Sequence, residues 1–585
     1  MPRPVSLRPA VPALYSLALA AVVLGPLLTS PGYLLLRDAV STPRSFPTDS
    51  ALGLTDAAAR AVPQDALLAA ASSVADGGLV VTALLTGALW AAGWGSARLV
   101  AVLLPTAGLP ARLVAATVGV WNPYVAERLL QGHWSLLVGY AALPWTVVAA
   151  VAVRRGDRSG WPSLAVCLGV AGLTPTGALL ASGTALAVLA PPGGRSRRVP
   201  RLAGAVALAG AVAAPWLVAT AVSGGAGDGS DPAGVRAFAA RAEPALGTLG
   251  SVAGLGGIWN ADAVPASRTT VWALVGTAAL LLVVVCGVPA LWRRRRNPVL
   301  GVLTALAAVA VLGPALAATG PGLRAGEWAM VHVPGAGLLR DTQKWVAWAV
   351  PLYALAAAAG VGTLRTRFGG RAGVWATATA LAVLLALPDL AWGVGGRVRP
   401  VQYPDAWQRV AATVPPGDGD VAVLPAGMFR RFEFSGAAPV LDPAPRMLRA
   451  DVLQSGELIV AGGTVAGEGR GAAEVERLLL AGAAPADLAA HGVGWVLVEH
   501  GTPGDLGDSA RTLEQLEPVV TDAALSLYRV RGVAGTRSDD RTAAIAAHAL
   551  WAAVSAGGLV GLLVLRRRVR RREHDGGLRG AREQS

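Results

Sequence analysis

Trp121-Asn122-Pro123-Tyr124-Val125-Ala126-Glu127-Arg128-Leu129-Leu130-Gln131-Gly132-His133-Trp134 stands between two apolar runs, 99–121 and 134–153. Each run has the roughly 20 residues that a helix needs to cross a bilayer. The polar stretch therefore reads as the turn joining two membrane helices. Pro123 suits the first turn of a short helix, with Asn122 as its cap. Glu127 and Gln131 are then one helical turn apart and share a face. Arg128 and His133 bring phosphate donors beside aromatic rings. Two readings stay open. The turn holds a lipid headgroup, or Trp121, Tyr124 and Trp134 anchor it at the interface while Glu127 and Arg128 are merely solvated.

Runs of the same kind recur outward from this turn, at 11–29, 79–97, 201–222, 270–291, 299–318, 345–363, 373–394 and 547–565. The stretch 163–189 is apolar but broken by Thr174-Pro175-Thr176, and reads as a hairpin of two short helices turning at Pro175. Of the 585 residues 54% are hydrophobic and 15% charged, with mean hydropathy +0.52. Soluble chains carry about 25% charged residues. The composition excludes a large soluble enzyme and predicts a polytopic α-helical membrane protein with about 12 membrane segments.

Arginine placement orients the bundle. Arg3 and Arg8 precede the first run, and Arg154, Arg155 and Arg158 follow the 134–153 run. Arg195, Arg197, Arg198 and Arg201 follow the hairpin, Arg293 to Arg296 follow 270–291, and Arg365, Arg367 and Arg371 follow 345–363. Arg566 to Arg568 and Arg570 to Arg572 follow the last run. Positive loops stay cytoplasmic. One alternation satisfies every cluster, with both termini cytoplasmic and 30–78, 122–133, 223–269, 319–344 and 395–546 outside. The first run reads as a retained span, because Pro31-Gly32-Tyr33 follows it rather than a small-residue cleavage site.

Three parts follow: a transmembrane domain over 1–394, a small exported α/β domain over 395–546, and a final helix with a basic cytoplasmic tail over 547–585. The exported part has 14 arginines against 19 acids, net −5, which leaves +19 of the total +14 for the rest. The basic excess thus orients helices and meets anionic lipid, and nucleic acid is excluded as a partner. Within 395–546, strands are expected at Val421–Leu424, Gly494–Val498 and Leu525–Val530, and a helix at Ala472–Leu480. Gly467-Glu468-Gly469-Arg470-Gly471 lacks the strand and the Lys-Ser/Thr of a phosphate loop and reads as flexible chain. His491 and His500 are solitary. Cys167 and Cys286 lie in apolar runs, with neither a disulfide framework nor metal-ligand spacing.

Polar residues kept beside a membrane point to function. Asp38 sits just past the first run, where an apolar wall raises proton affinity and suits a general base. The alternative is a pair with Arg37 or Arg44, or a helix cap. Arg340-Asp341-Thr342-Gln343-Lys344 opens the 345–363 run, with Glu327 and His332 just before it. Arg340 and Lys344 at a helix N-terminus oppose its dipole, which favours an anion-binding role over ordinary flanking charge. No serine–histidine–acid set, zinc spacing or Walker loop appears, and no paired repeats of a transporter.

The Trp121–Trp134 stretch, continuing Leu137-Val138-Gly139-Tyr140-Ala141-Ala142-Leu143-Pro144-Trp145, resembles the membrane core of actinobacterial arabinofuranosyltransferases of the α-(1→3) type. These are GT-C-fold glycosyltransferases that use polyprenyl-phosphate sugars. Arg340–Lys344 looks like a sequence found in large bacterial membrane proteins of that kind. The resemblance implies a GT-C-like bundle in the cell membrane. It implies transfer of a sugar from a polyprenyl-phosphate lipid to a cell-envelope glycan or lipid acceptor on the outer face. It makes Asp38 the catalytic base. Glu127, Arg128, His133, Arg340, Asp341 and Lys344 become the substrate-binding set. Asp38 lacks the close second acid common in that loop, so a divalent cation is an open element. The alternatives are a non-catalytic protein of envelope assembly or lipid binding on the same scaffold, and a transporter.

Overall fold

The computed structural model describes residues 10–57, 59–222, 231–460, 463–533 and 540–582. Arg3 and Arg8 therefore lie outside the described residues, as do the first eight residues of the 223–269 loop. Among the described residues seven helices are long and apolar enough to cross a membrane: Gly77–Leu103, Trp134–Arg155, Arg198–Val222, Trp272–Trp292, Pro298–Ala317, Thr342–Phe368 and Arg541–Arg568. Ala372–Ala386 and Pro388–Gly396, bent by 74°, make an eighth when taken as one span. Shorter apolar helices cover Val11–Val23, Gly160–Ala171 and Pro175–Leu189.

The expectation of about 12 segments meets seven or eight of full length, and prolines account for much of the difference. The 11–29 run is cut where Pro26 opens a second, five-residue helix, Gly25–Thr29. The two runs expected at 79–97 and 99–121 are divided elsewhere. One 27-residue helix continues to Leu103, and the break falls at Leu104-Pro105. That leaves Leu109–Val120 with 12 residues, or about 18 Å of helix. At Pro175 the chain does turn: Thr174 caps the second arm by accepting the Gly177 N–H at 3.0 Å.

Beyond the bundle lies a four-stranded sheet in the order Glu517–Thr521, Leu525–Arg529, Val493–Glu499, Asp420–Leu424. Its last pair is parallel and the others antiparallel. Ala422, Leu424, Val496 and Val498 face the helices Arg470–Leu480 and Pro485–Ala490 through Val475, Leu479 and Leu488. Val421, Val423, Trp495 and Leu497 face the other way, onto Trp407 and Met447. The two strands Asp420–Leu424 and Val493–Glu499 are covered on both faces and so read as nearly unbroken apolar runs, while the edge strand Glu517–Thr521 is exposed.

The first loop contains a strand that sequence patterning does not reveal. Tyr33–Leu36 pairs antiparallel with both Ala39–Val40 and Pro400–Val401. Side chains alternate across a strand. Leu34 and Leu36 therefore enter the core of the bundle, while Leu35 enters the core that holds Trp407, Val421 and Leu497. The strand is the seam between the two bodies of the chain, and Asp38 follows two residues after it.

Further ties cross the same seam. The Asp451 carboxylate accepts the backbone N–H groups of Asp49 and Ser50, at 3.2 and 2.6 Å. Arg446 pairs with Asp65 at 3.1 Å, and the Leu441 N–H donates to the Arg37 carbonyl at 2.8 Å.

Leu35 is only 1% exposed, and emptying such a site costs about 2–5 kcal/mol. Leu35→Ala should lower the melting temperature of the sheet-containing part, followed by intrinsic tryptophan fluorescence. An unchanged melting curve would mean that residues 400–530 fold without the first loop.

Candidate functional site

The polar turn folds as its sequence dictates. The helix Pro123–Gln131 is capped by the Asn122 side chain, which accepts the Val125 N–H at 3.1 Å, and ends at Gly132 with φ +83°. A Cβ on Gly132 would lie 2.3 Å from the Ala39 nitrogen and 2.4 Å from the Leu36 carbonyl. Only glycine lets the first loop approach so closely. The Asp38 N–H then donates to the Gln131 carbonyl at 3.1 Å.

The helix is buried on every side, so its polar residues look inward rather than to water. Glu127 and Gln131 do share a face, and that face holds the 256–260 segment. The Gly257 and Ile258 N–H groups each donate to the Glu127 carboxylate at 3.1 Å, and Asn260 donates to Gln131 Oε1 at 2.8 Å. Behind that segment Glu243 and Arg268 form a buried ion pair. Burial, reinforced by the Glu243 carboxylate, pushes the Glu127 carboxyl up.

Arg128 points the other way and has no exposed side-chain surface. Its Nη1 donates to Asp341 Oδ2 and to His133 Nδ1, both at 2.9 Å. Its Nη2 donates to Asp341 Oδ1 at 3.3 Å and to Gln343 Oε1. All four hydrogens on the two terminal nitrogens are thus spent. Gln343 in turn donates to Glu127 Oε2 at 3.1 Å. Below Arg128 lies the Tyr124 ring, itself stacked on Tyr140 at 5.3 Å.

Arginine only donates, so the bond to His133 sets the tautomer. Nδ1 must accept, and the proton sits on Nε2, which donates to Asp38 Oδ2 at 2.9 Å. Gln131 donates to the same oxygen at 3.3 Å. Oδ1 of Asp38 takes no hydrogen bond among the described residues. Burial pushes His133 down, helped by Lys344 and Arg128 and opposed by Asp38. For Asp38, burial acts upward but is outweighed by His133, Gln131 and Lys344, and the carboxyl lies below its ordinary value. At neutral pH the pair is a carboxylate facing a neutral imidazole.

The sequence-predicted residues therefore separate by surface. Asp38 and Lys344 keep 30% and 26% of their side chains exposed, and His133 15%. Asp341 keeps 5%. The Lys344 ammonium lies 3.7 Å from Asp341 Oδ2. Glu127 and Arg128 hold the network together from inside. Arg340 turns away from it, its guanidinium 4.7 Å above the Phe238 ring. Burial and the nearby Arg60 push it down to about 10, so it stays charged at neutral pH.

Asp38 pairs with neither Arg37 nor Arg44. Arg37 donates to the carbonyls of Leu130 and Asp262, and Arg44 to that of Ala69. Trp121, Tyr124 and Trp134 are buried core rather than interfacial anchors. His332 stacks on Trp328, and Glu327 pairs with Arg236, both apart from the network. Sequence reasoning passed over Gln343. Its signal is a buried amide at the head of an apolar span, where polar groups need a partner. Among the described residues no three His, Cys, Asp or Glu side chains converge as a metal site.

No protein-family model and no curated protein matches the chain. Solved structures do. The cryo-EM structure of arabinofuranosyltransferase AftD from Mycobacteria superposes with TM-score 0.56 at 17% identity, over 92% of this chain and 40% of that one. A mutant form of the same protein gives 0.52 at 16% identity, over 92% and 42%. The chain has the GT-C fold. It spans about two-fifths of the length of those structures. At that identity the likeness speaks for the architecture alone, a helical membrane bundle arranged as in those structures.

Removing one partner of a buried ion pair costs about 3–5 kcal/mol, because a bare charge stays behind. Arg128→Met and Asp341→Leu should each unfold far earlier in detergent, and the double variant should regain most of the loss. The pH dependence carries the same sign. Burial tends to raise Asp341, but Arg128 and Lys344 prevail and hold it at about 2. This contribution is complete above the ordinary carboxylate range and is lost as pH falls towards 2. A pH melting series of Asp341→Asn against wild type should converge there.

Proposed function

We propose that this protein is an integral membrane glycosyltransferase. It moves a sugar from a polyprenyl-phosphate donor to a hydroxyl of a cell-envelope glycan or lipid. The observation that carries this reading is the half-open Asp38 carboxylate. One oxygen is held by His133 and Gln131, the other takes no hydrogen bond among the described residues, and the Lys344 ammonium stands close enough to lower its pKa.

The chemistry asks for two things at one place: an ionised base and a cation. The acceptor oxygen forms a bond to the anomeric carbon as the bond from that carbon to the phosphate oxygen breaks. The acceptor proton goes to Asp38 Oδ1, and the polyprenyl phosphate leaves with one additional negative charge. Lys344 offsets that charge. Arg340 extends the positive field along the same segment. His133 keeps the carboxylate oriented, and Arg128 keeps His133 in the tautomer that does so.

Arginine placement supports the outer face as the site of transfer. Trp134–Arg155 begins next to His133 and ends in Arg154 and Arg155, and Thr342–Phe368 begins next to Asp341 and carries Arg365 and Arg367 in its last turn. The network and the arginines thus stand at opposite ends of these spans. By the positive-inside bias the arginines are cytoplasmic. On this reading both termini are inside, and the network and residues 395–546 are outside, the latter as an exported α/β domain. Gln515→Cys should react with an impermeant maleimide on intact cells, and Arg158→Cys only after lysis. The reverse pattern would place the network inside.

General-base catalysis is worth about 10²–10⁴-fold. Asp38→Asn should lower turnover of a polyprenyl-phosphate sugar by that factor, with donor binding retained. Lys344→Met should instead weaken donor binding by about tenfold or more, since a charge-assisted contact contributes roughly 1.5–3 kcal/mol. Donor binding without turnover by the wild type, across pentose and hexose donors, would favour the non-catalytic scaffold.

A further inference from the structure

The arginine-rich ends of the spans line an open cavity of about 470 Å³. Its wall includes Leu103, Arg154, Arg155, Asp157, Arg195 and Asn297. The helix Trp134–Arg155 has 22 residues, so this cavity lies roughly 33 Å from His133, at the other end of the same helix. It is not part of the Asp38 network.

The charge around it is out of balance. Arg154 is 7% exposed and Arg201, just behind the wall, 1%. Arg154 is held by the carbonyls of Val188, Pro191 and Pro192 at 3.2, 2.7 and 3.0 Å. Arg201 is held by those of Leu189 and Gly193, at 2.9 and 2.7 Å. Neither has a carboxylate partner among the described residues. Buried charges are ordinarily paired, and carbonyl dipoles leave the net charge in place.

Arg155 and Arg195 are exposed at the rim and form no ion pair among the described residues. Asp157, the acid on the wall, pairs with neither. The 20-residue helix Pro298–Ala317 begins at the cavity, and Asn297, Pro298 and Val299 form part of the wall. Its dipole adds positive potential there. Three guanidinium groups and a helix N-terminus thus meet one carboxylate in a space that holds more than an ion.

We propose that this cavity binds the phosphate headgroup of an anionic phospholipid. The rim arginines would take the phosphate oxygens by charge-assisted hydrogen bonds, and Arg154 and Arg201 would supply fixed charge from behind. The location fits a lipid rather than a free solute. The cavity lies between helix ends, where a bilayer places its headgroups, and basic pockets between membrane helices have that use.

The test is thermal stabilisation of the purified full-length protein in neutral detergent. It is titrated with phosphatidylglycerol, with phosphatidylcholine, and with inorganic phosphate at matched ionic strength. Phosphatidylglycerol should raise the melting temperature saturably, and the other two should not. Arg155→Gln with Arg195→Gln should weaken the half-saturating concentration at least tenfold. Asp157→Asn, which removes the opposing charge, should strengthen it. An equal response to phosphatidylcholine would overturn the charge argument, and a response to inorganic phosphate alone would overturn the lipid. An unchanged titration in the double arginine variant would place the binding elsewhere.

Discussion

The buried contact between Arg128 and Asp341 holds the site together. It joins a short helix after the Leu109–Val120 segment to the head of a span more than two hundred residues later. Taking both charges out of water is costly, and their attraction offsets this only when the remaining hydrogen-bonding groups are satisfied. Arg128 meets that condition at its two terminal nitrogens, through His133 and Gln343, while its buried Nε has no partner among the described residues, and Gln343 passes the constraint on to Glu127. Each neighbour is thereby committed to one orientation. The pair also rests on Tyr124, whose hydroxyl donates to the Lys344 carbonyl at 3.0 Å. Moving either charged group would release Lys344, His133 and the 256–260 segment together.

A second constraint brings the first loop to this network. Tyr33–Leu36 has one face in the bundle and one in the sheet-containing part, so a one-residue slip would exchange the two sets of side chains. The register is therefore firmly set. Arg37, with φ +49°, turns the chain immediately afterwards. Its guanidinium is tied to two carbonyls across the turn, and Gly132 leaves room for Asp38 to reach His133. The placement of Asp38 thus draws on both bodies of the chain.

The elements legible in the sequence are those with local causes. Asn122-Pro123 and Gly132 mark the two ends of a helix by capping chemistry alone, and the helix is there. The strands at Val421, Gly494 and Leu525 follow from short β-branched and apolar runs between turns. Tyr33-Leu34-Leu35-Leu36 carries no such mark. A strand buried on both faces shows no alternation, and after a membrane run it reads as the frayed end of a helix. The count of spans was less legible because a proline inside an apolar run does not announce its effect. Pro105 and Pro26 end or restart helices, whereas Pro144 sits inside Trp134–Arg155 without breaking it. At the site, the residue types in Glu127, Arg128 and Asp341 were conspicuous. Their roles depend on partners far away in sequence, so spacing could not say which of them face substrate.

Three carboxylates stand close together here, and their surroundings divide the work. Glu127 is closed off by two backbone N–H groups and an amide. Asp341 gives both oxygens to Arg128 and one also to Lys344, which leaves it ionised and with little lone-pair capacity to take a proton. Asp38 alone combines exposure, a free oxygen and a neutral donor on the other. A lowered proton affinity looks unfavourable for a base, yet it fits the proposed reaction. The acceptor hydroxyl becomes strongly acidic only as its oxygen bonds to a sugar carbon that has already lost much of its bond to phosphate. A carboxylate that is fully ionised at the start and takes the proton late is then adequate. A neutral His133 favours this order: its Nε2 proton is engaged with Asp38 and its Nδ1 lone pair with Arg128, so it does not compete for the acceptor proton. In the proposed reaction Arg128, which touches no surface, thereby decides which of the two side chains acts as the base.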